Sequence, residues 1–371
     1  MKYNLFQMPK VILLSQVALP FSKIGSWTTL YKNYLQGNHS IDYIVCPEPE
    51  EKWDSVSYSF VVNDNLTKIK KKLIKNPYLG FLKALERITV PNGKYVIQIV
   101  DNFGLIKPLV TFLNQKGMRT NCYLQFFYHG FAPFYGNFES RWFYENIQEM
   151  VLLSHDSYKA HKELYTVLPT RFSVLHNGID TGKFFSPSQK DKLAFKSTMG
   201  VSNKTIFVWC AQDRPKKGLH LLLDAWKSIF EKRQDIVLWV IGCEAKAPHD
   251  GVVFLGRIPN DELAVYFQAA ECYLFPTLCH EGFGLSLIEA LHCGNYTIAS
   301  ALGGVPEVLQ YGKLGKLIEN PHFISEWENA ILEFLEKPIP EVTFSPELYT
   351  AKSWTLGMNC IINRAKKSIG T

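Results

Sequence analysis

At 371 residues the chain is two to three times the usual length of one domain, so two domains sharing a function is the first expectation. Apolar residues at 47% and charged residues at 20% exclude a disordered, collagen-like or coiled-coil chain. The net charge of +6 is too small for a dedicated nucleic-acid binder and suits anionic ligands or an acidic lipid surface.

The N-terminal stretch Val11–Phe21 is interrupted by Ser15 and Gln16 and lacks a cleavage signal, so it reads as a buried first strand with its loop. Gly25-Ser26 follows and opens an apolar helical pattern at Trp27, Leu30, Tyr31, Tyr34 and Leu35. No G-x-G-x-x-G occurs there, which counts against a nicotinamide or flavin site. Short β-rich runs then alternate with helical patterns: Tyr43–Cys46, Tyr95–Val100, Cys122–Phe127, Val151–Leu153 and Phe172–Leu175. A turn-rich stretch, His176–Ser188, precedes a second series at Thr205–Cys210, Ile236–Ile241, Val252–Leu255, Cys272–Phe275 and Tyr296–Ala299. Alternation of this kind is the signature of βαβ units. The expected fold is α/β, with two doubly wound, Rossmann-like parallel-sheet domains facing a central cleft. The first spans 1–177, with a helix at about 352–371 packing back on it, and the second spans 178–351.

Within the first series, between Tyr43–Cys46 and Tyr95–Val100, Leu66–Arg87 interleaves Lys68, Lys70, Lys71, Lys72 and Lys75 with leucines and isoleucines, and Pro77 splits it. Such a face suits anionic lipid, although a helix covering the sheet with a solvated basic face is the more economical reading. No run approaches the roughly 20 apolar residues needed to span a bilayer. The eight scattered cysteines, with no C-x-x-C pair, read as buried reduced thiols. A cytoplasmic protein, peripheral on the inner face of the membrane, is therefore expected.

In open α/β sheets ligands bind outside the carboxyl ends of the strands. The densest such loop is His280–Ala290: Gly282 and Gly284 allow close backbone approach, the helix start favours an anion, and Glu281 and Glu289 suit hydroxyl-rich ligands. A solvated Glu281 and a surface Glu289 fit the same spacing equally well. Gln212–Gly218 is a second strand-to-helix loop, where Arg214, Lys216 and Lys217 could meet a diphosphate or merely be solvated. His129 ends a strand in the first half and could donate to a substrate or cap a helix. P-loop, H-E-x-x-H and G-x-S-x-G motifs do not occur.

These residues resemble the retaining glycosyltransferases of family 4, whose architecture is called GT-B. The likeness lies mainly between Ser173 and Glu319: Val174–Asp180 is similar to the family's interdomain turn, Lys217-Gly218 opens a helix, and Val253–Ile258 is similar to the base-side loop. Glu281–Glu289 has the family's spacing of two glutamates, and Gly303–Glu307 follows it. The resemblance implies that Lys217 contacts the donor diphosphate, Glu281 the transferred sugar and Glu289 the ribose. It places the amides of Gly282, Phe283, Gly284 and Leu285 near sugar and phosphate, and backbone at Arg257 and Ile258 by the base. It sets His129 beside donor sugar and acceptor, and Gly25 and Ser26 near the phosphates. The family's Gly-Arg is replaced by Ala211-Gln212; Arg214, two residues further on, is the candidate substitute, and if it does not reach the diphosphate, weaker donor binding is expected.

The implied activity is metal-independent, cofactor-free transfer of a hexose from a UDP- or GDP-linked sugar, with retention, to a glycan or lipid-linked acceptor. Surface polysaccharide or lipopolysaccharide biosynthesis is the expected setting, with no nucleic-acid partner. A non-catalytic nucleotide- or glycan-binding module, or another GT-B enzyme such as a nucleotide-sugar epimerase, is the alternative.

Overall fold

The computed structural model describes residues 8–21, 26–133, 138–165, 168–244, 247–338 and 342–370. Among these, one sheet holds β1 (Lys10–Leu14), β2 (Tyr43–Cys46), β3 (Ser57–Phe60), β4 (Tyr95–Val100), β5 (Cys122–Phe127), β6 (Glu149–Leu152) and β7 (Arg171–Val174). The other holds β8 (Thr205–Cys210), β9 (Ile236–Ile241), β10 (Val252–Gly256), β11 (Cys272–Phe275), β12 (Tyr296–Ser300) and β13 (Lys316–Ile318). Their spatial orders are β3-β2-β1-β4-β5-β6-β7 and β10-β9-β8-β11-β12-β13, with every recorded pairing parallel. Each sheet carries an apolar core on both faces. That is why β4, β5 and β9 are buried along their whole length and read as nearly unbroken apolar runs.

The edge strands β3 and β13 carry no such signal. One reads Ser-Tyr-Ser-Phe and the other has three residues, each with an exposed end. Pro77 does separate two helices, Asn65–Leu73 and Leu79–Glu86. Only the second covers the sheet, through Leu82, Ala84 and Leu85. The first leaves Leu66, Ile69, Leu73 and the adjoining Ile74 exposed, beside exposed Lys68, Lys70, Lys72 and Lys75. The economical reading of a sheet-covering helix therefore fails for this half of the segment. The side chain of Lys71 lies outside the described ones.

The tail forms one helix, Ala351–Gly370, which returns to the first domain. Trp354, Met358, Ile361, Ile362 and Ala365 form its buried stripe and share a core with Tyr31 and Tyr34. On the same sheet face Arg364 Nη2 donates to the fully buried Glu149 and, at 2.7 Å, to Ser173 Oγ. The chain crosses between domains twice in contact with itself: Ile179 N donates to Tyr349 O at 2.9 Å and Ala351 N to Ile179 O at 2.8 Å. The cysteines are free, but the expectation of burial fails at Cys360, which is exposed, and at the half-buried Cys210 and Cys279.

Candidate active site between the two domains

Both strand orders reverse direction, between β1 and β4 in the first sheet and between β8 and β11 in the second. Crevices at such switch points are where open α/β sheets take ligands. The loops there carry Asp101 in the first domain, and Lys217 and Glu281 in the second.

Lys217 and Glu281 stand in different loops, and adjacency of β8 and β11 brings them together: Lys217 Nζ is paired with Glu281 Oε1. Thr277 Oγ1 donates to the same carboxylate oxygen at 3.2 Å, and Leu278 N donates to Lys216 O at 2.8 Å, so the two loops are tied. Past Glu281, Gly284 at φ +89 caps the helix Leu285–His292; Leu287 N donates to Gly284 O at 3.1 Å, and the helix start leaves the amides before it to other acceptors. Phe283 is buried, with its ring against Tyr349 at 5.1 Å and His176 at 5.7 Å, so only its backbone is available to a ligand. Glu289 is half-buried in that helix, and burial pushes its carboxyl up to about 7 against the opposing pull of Lys183.

Gln212 and Arg214 are exposed in the turn after β8, where Arg214 N donates to Gln212 O at 2.8 Å. Arg257 is exposed and Ile258 half-buried just past β10, two strands from β8. Gly25 lies outside the described residues. Ser26 begins the helix Ser26–Leu35, and its side chain is likewise outside them.

From the first domain, His129 follows β5. Its backbone N donates to Asp101 Oδ1 at 2.8 Å, and its Nδ1 lies 3.1 Å from Asp101 Oδ2. An ionised Asp101 places the proton on Nδ1 and leaves Nε2 of the neutral ring as an acceptor. The His129 ring stacks on Trp27 at 6.4 Å. Asp101 went unread in the sequence; a lone aspartate one residue past an apolar run is ordinary, and its pairing with His129 comes from β4 lying beside β5. The two domains touch at this point. A Cβ on Gly282 would stand 2.3 Å from His129 O, so only glycine permits the approach. Phe131 stacks on His280 across the same junction at 5.7 Å.

A second junction was also unread. Glu307 Oε1 accepts from His155 Nδ1 at 2.9 Å and His176 Nε2 at 2.7 Å, and Oε2 accepts from Asp156 N at 2.8 Å. Burial would raise this carboxyl, but those hydrogen bonds together hold it at about 2. The three side chains lie within 4.8 Å of one another, as metal ligands can, yet the separations are those of imidazole-to-carboxylate hydrogen bonds. Where the chain crosses between domains, a groove of about 300 Å³ is lined by His176, Asn177, Tyr349, Ser353 and Trp354. Among the described residues, no helix is long and apolar enough to cross a membrane.

Residues 191–348 match the family model described as Glycosyl transferases group 1. Curated relatives include a phosphatidyl-myo-inositol mannosyltransferase of Mycobacterium leprae, 30% identical over 150 residues covering 38% of each chain. A D-inositol 3-phosphate glycosyltransferase of a Mycobacterium species is 26% identical over 187 residues, 47% of this chain and 42% of the relative. The chain thus spans less than half the length of these curated relatives. Two solved structures align over nearly the whole chain. Sucrose-phosphate synthase from Thermosynechococcus elongatus has a TM-score of 0.70 at 17% identity, covering 97% of this chain and all of the other. Anabaena HepE in complex with UDP and glucose has a TM-score of 0.65 at 16% identity, covering 98% and 97%. The fold is therefore GT-B.

Proposed function

We propose that this chain, whose second domain belongs to the group 1 glycosyl transferases, moves a hexose from a nucleotide-diphosphate sugar to a glycan or lipid-linked acceptor. The observation that carries the reading is the meeting of Lys217 and Glu281 at the second-domain switch point, below a helix start and opposite the Asp101–His129 pair. Cleaving the donor leaves negative charge on the diphosphate. In this reading Lys217, the amides at Gly284 and Leu285, and Arg214 stabilise that charge, and no metal ion is required. Glu281 accepts from sugar hydroxyls and Glu289 from the ribose. His129 faces the sugar from the first domain with its tautomer set by Asp101. The acceptor oxygen then bonds the anomeric carbon from the face the diphosphate leaves, and its proton passes to the departing phosphate oxygen, which retains configuration.

The HepE complex with UDP and glucose supports a uridine donor, and a GDP-mannose-dependent relative from Corynebacterium glutamicum supports a guanosine one. A lipid-linked acceptor is favoured by the phosphatidylinositol-directed relatives and by the exposed apolar and basic helix Asn65–Leu73. That helix would seat the protein on the inner face of a membrane, in polysaccharide or lipopolysaccharide assembly.

Calorimetric titration with UDP, GDP, ADP and their sugar conjugates, followed by a donor-hydrolysis assay, tests the reading. One nucleotide should bind at micromolar level with slow sugar release, and Lys217→Ala and Glu281→Ala should each lower turnover about tenfold or more. Binding of none, or unchanged turnover in both variants, would refute it.

A further inference from the structure

The segment Gly303–Glu307 is a motif of the resemblance to which the reaction gives no task. In the structure it lies between the donor loop and the first domain. Gly303 forms a parallel bridge with Glu281, and Gly304 N donates to Glu281 O at 2.8 Å. A Cβ on Gly303 would stand 2.4 Å from Glu281 O. One on Gly304 would stand 2.5 Å from Gly282 O and 3.2 Å from Ser154 Oγ of the first domain. Backbone packed this closely passes a displacement of residue 304 directly to Glu281 and Gly282.

Three residues further on, Glu307 is held from the other domain by His155, by the Asp156 amide in the first turn of the helix His155–Leu164, and by His176 at the crossing. Its side chain is only 10% exposed. Around it, Tyr311 OH donates to Asp156 Oδ1 at 3.0 Å, Lys159 Nζ donates to the same oxygen at 2.8 Å, and Tyr349 OH donates to Glu307 O at 3.4 Å. A carboxylate receiving three hydrogen bonds from the neighbouring domain is a fastening, and its rigid backbone leads to the residue that meets the sugar.

We propose that Glu307 is a positioning residue: its clamp by His155, Asp156 and His176 fixes the apposition of the two domains and thereby sets Glu281 and Gly282 against His129. This rests on the glycosyltransferase reading for its catalytic consequence and not for its structural one. The charged groups proposed to hold the nucleotide, Lys217, Arg214 and Glu289, belong to the second domain, whereas transfer needs both domains, so loss of the clamp should act on turnover and largely spare nucleotide affinity.

The experiment uses the full chain with Glu307→Ala, and the pair His155→Ala/His176→Ala, which attacks the clamp from the other side. Small-angle scattering should show a broader, longer distance distribution for both than for wild type, with circular dichroism unchanged. Donor hydrolysis should fall about tenfold or more while UDP affinity stays within about twofold, and the triple variant should be no worse than Glu307→Ala alone. Glu307→Asp, which keeps the charge, should recover part of the turnover. An unchanged distance distribution, or loss of UDP affinity equal to the loss of turnover, would overturn the proposal. If wild type binds no nucleotide, the functional reading falls and scattering alone decides the clamp.

Discussion

Replacing Leu66 and Leu73 together by serine should detach the protein from anionic vesicles. Both lie on the helix Asn65–Leu73, 71% and 76% exposed, on the same stripe as Ile69 at i, i+3 and i+7. Full burial of a leucine side chain is worth about 2 kcal/mol, so transfer of the exposed fractions to the acyl boundary supplies about 1.5 kcal/mol each. Losing both costs about 3 kcal/mol, roughly a 150-fold weaker partition. The neighbouring Lys68, Lys70, Lys72 and Lys75 add about 1 kcal/mol each at an anionic surface, a contribution that salt screens. Because these positions are exposed, the substitutions should change folding stability by no more than about 0.5 kcal/mol. Flotation with vesicles containing phosphatidylserine, against neutral vesicles and across a salt series, measures the partition. Equal flotation of wild type and the double variant, or equal binding to neutral lipid, would refute the reasoning.

Three further outcomes test the site and the packing that supports it. Glu289 titrates at about 7 in the folded chain against an ordinary 4.5, so the native state holds a proton that the unfolded chain releases; its contribution to stability falls as pH rises from 4.5 through about 7. Ribose hydroxyls favour the ionised form, so nucleotide binding near pH 7 should release a proton, seen as a buffer-dependent binding heat that Glu289→Gln abolishes. Arg364→Met removes the cation from the buried Glu149 carboxylate and leaves it neutral donors such as Ser173 and Gln125, and should cost about 3 kcal/mol, or about 6–12 °C in the first domain's melting transition. Adding Glu149→Gln should restore most of that, and a double variant as unstable as the single would show that the ion pair is not the cause. Gly282→Ala forces a Cβ against His129 O and should lower turnover on the order of 100-fold with UDP binding retained; unaltered turnover would show that this contact does not set the site.

What could be read before the structure follows from how each feature is encoded. Strands buried on both faces are apolar at nearly every position, so the interior of both sheets was legible; β3 and β13, half-buried at the edges, were not. The stripe in Asn65–Leu73 was visible, but an apolar stripe looks the same whether it meets a sheet or solvent, and only the exposure of Leu66, Ile69 and Leu73 decides. Lys217 and Glu281 could each be named because they sit in loops with glycine and helix-start chemistry. Their contact, 64 residues apart, depends on β8 lying beside β11. The partners of Glu307 are 131 to 152 residues away, and nothing local in His155 or His176 announces them.

The same distinction explains why the family match stops where it does. Residues 191–348 hold the loops after β8, β10 and β11 and the helix that follows β11, which carry Lys217, Glu281 and Glu289, the residues proposed to meet the donor. That chemistry requires the same groups at the same loop positions, and spacing along the chain preserves them in readable form. His129, Asp101 and Trp27 lie outside the matched segment, in the domain proposed to meet the acceptor, so on that reading their loops answer to a different chemistry. Among the contacts that join the two halves are Gly282 on His129, Phe131 on His280, and Glu307 on His155, Asp156 and His176. On the proposed reading, donor recognition can stay fixed in the second domain while acceptor choice changes in the first, provided that these junctions hold the two loops in register.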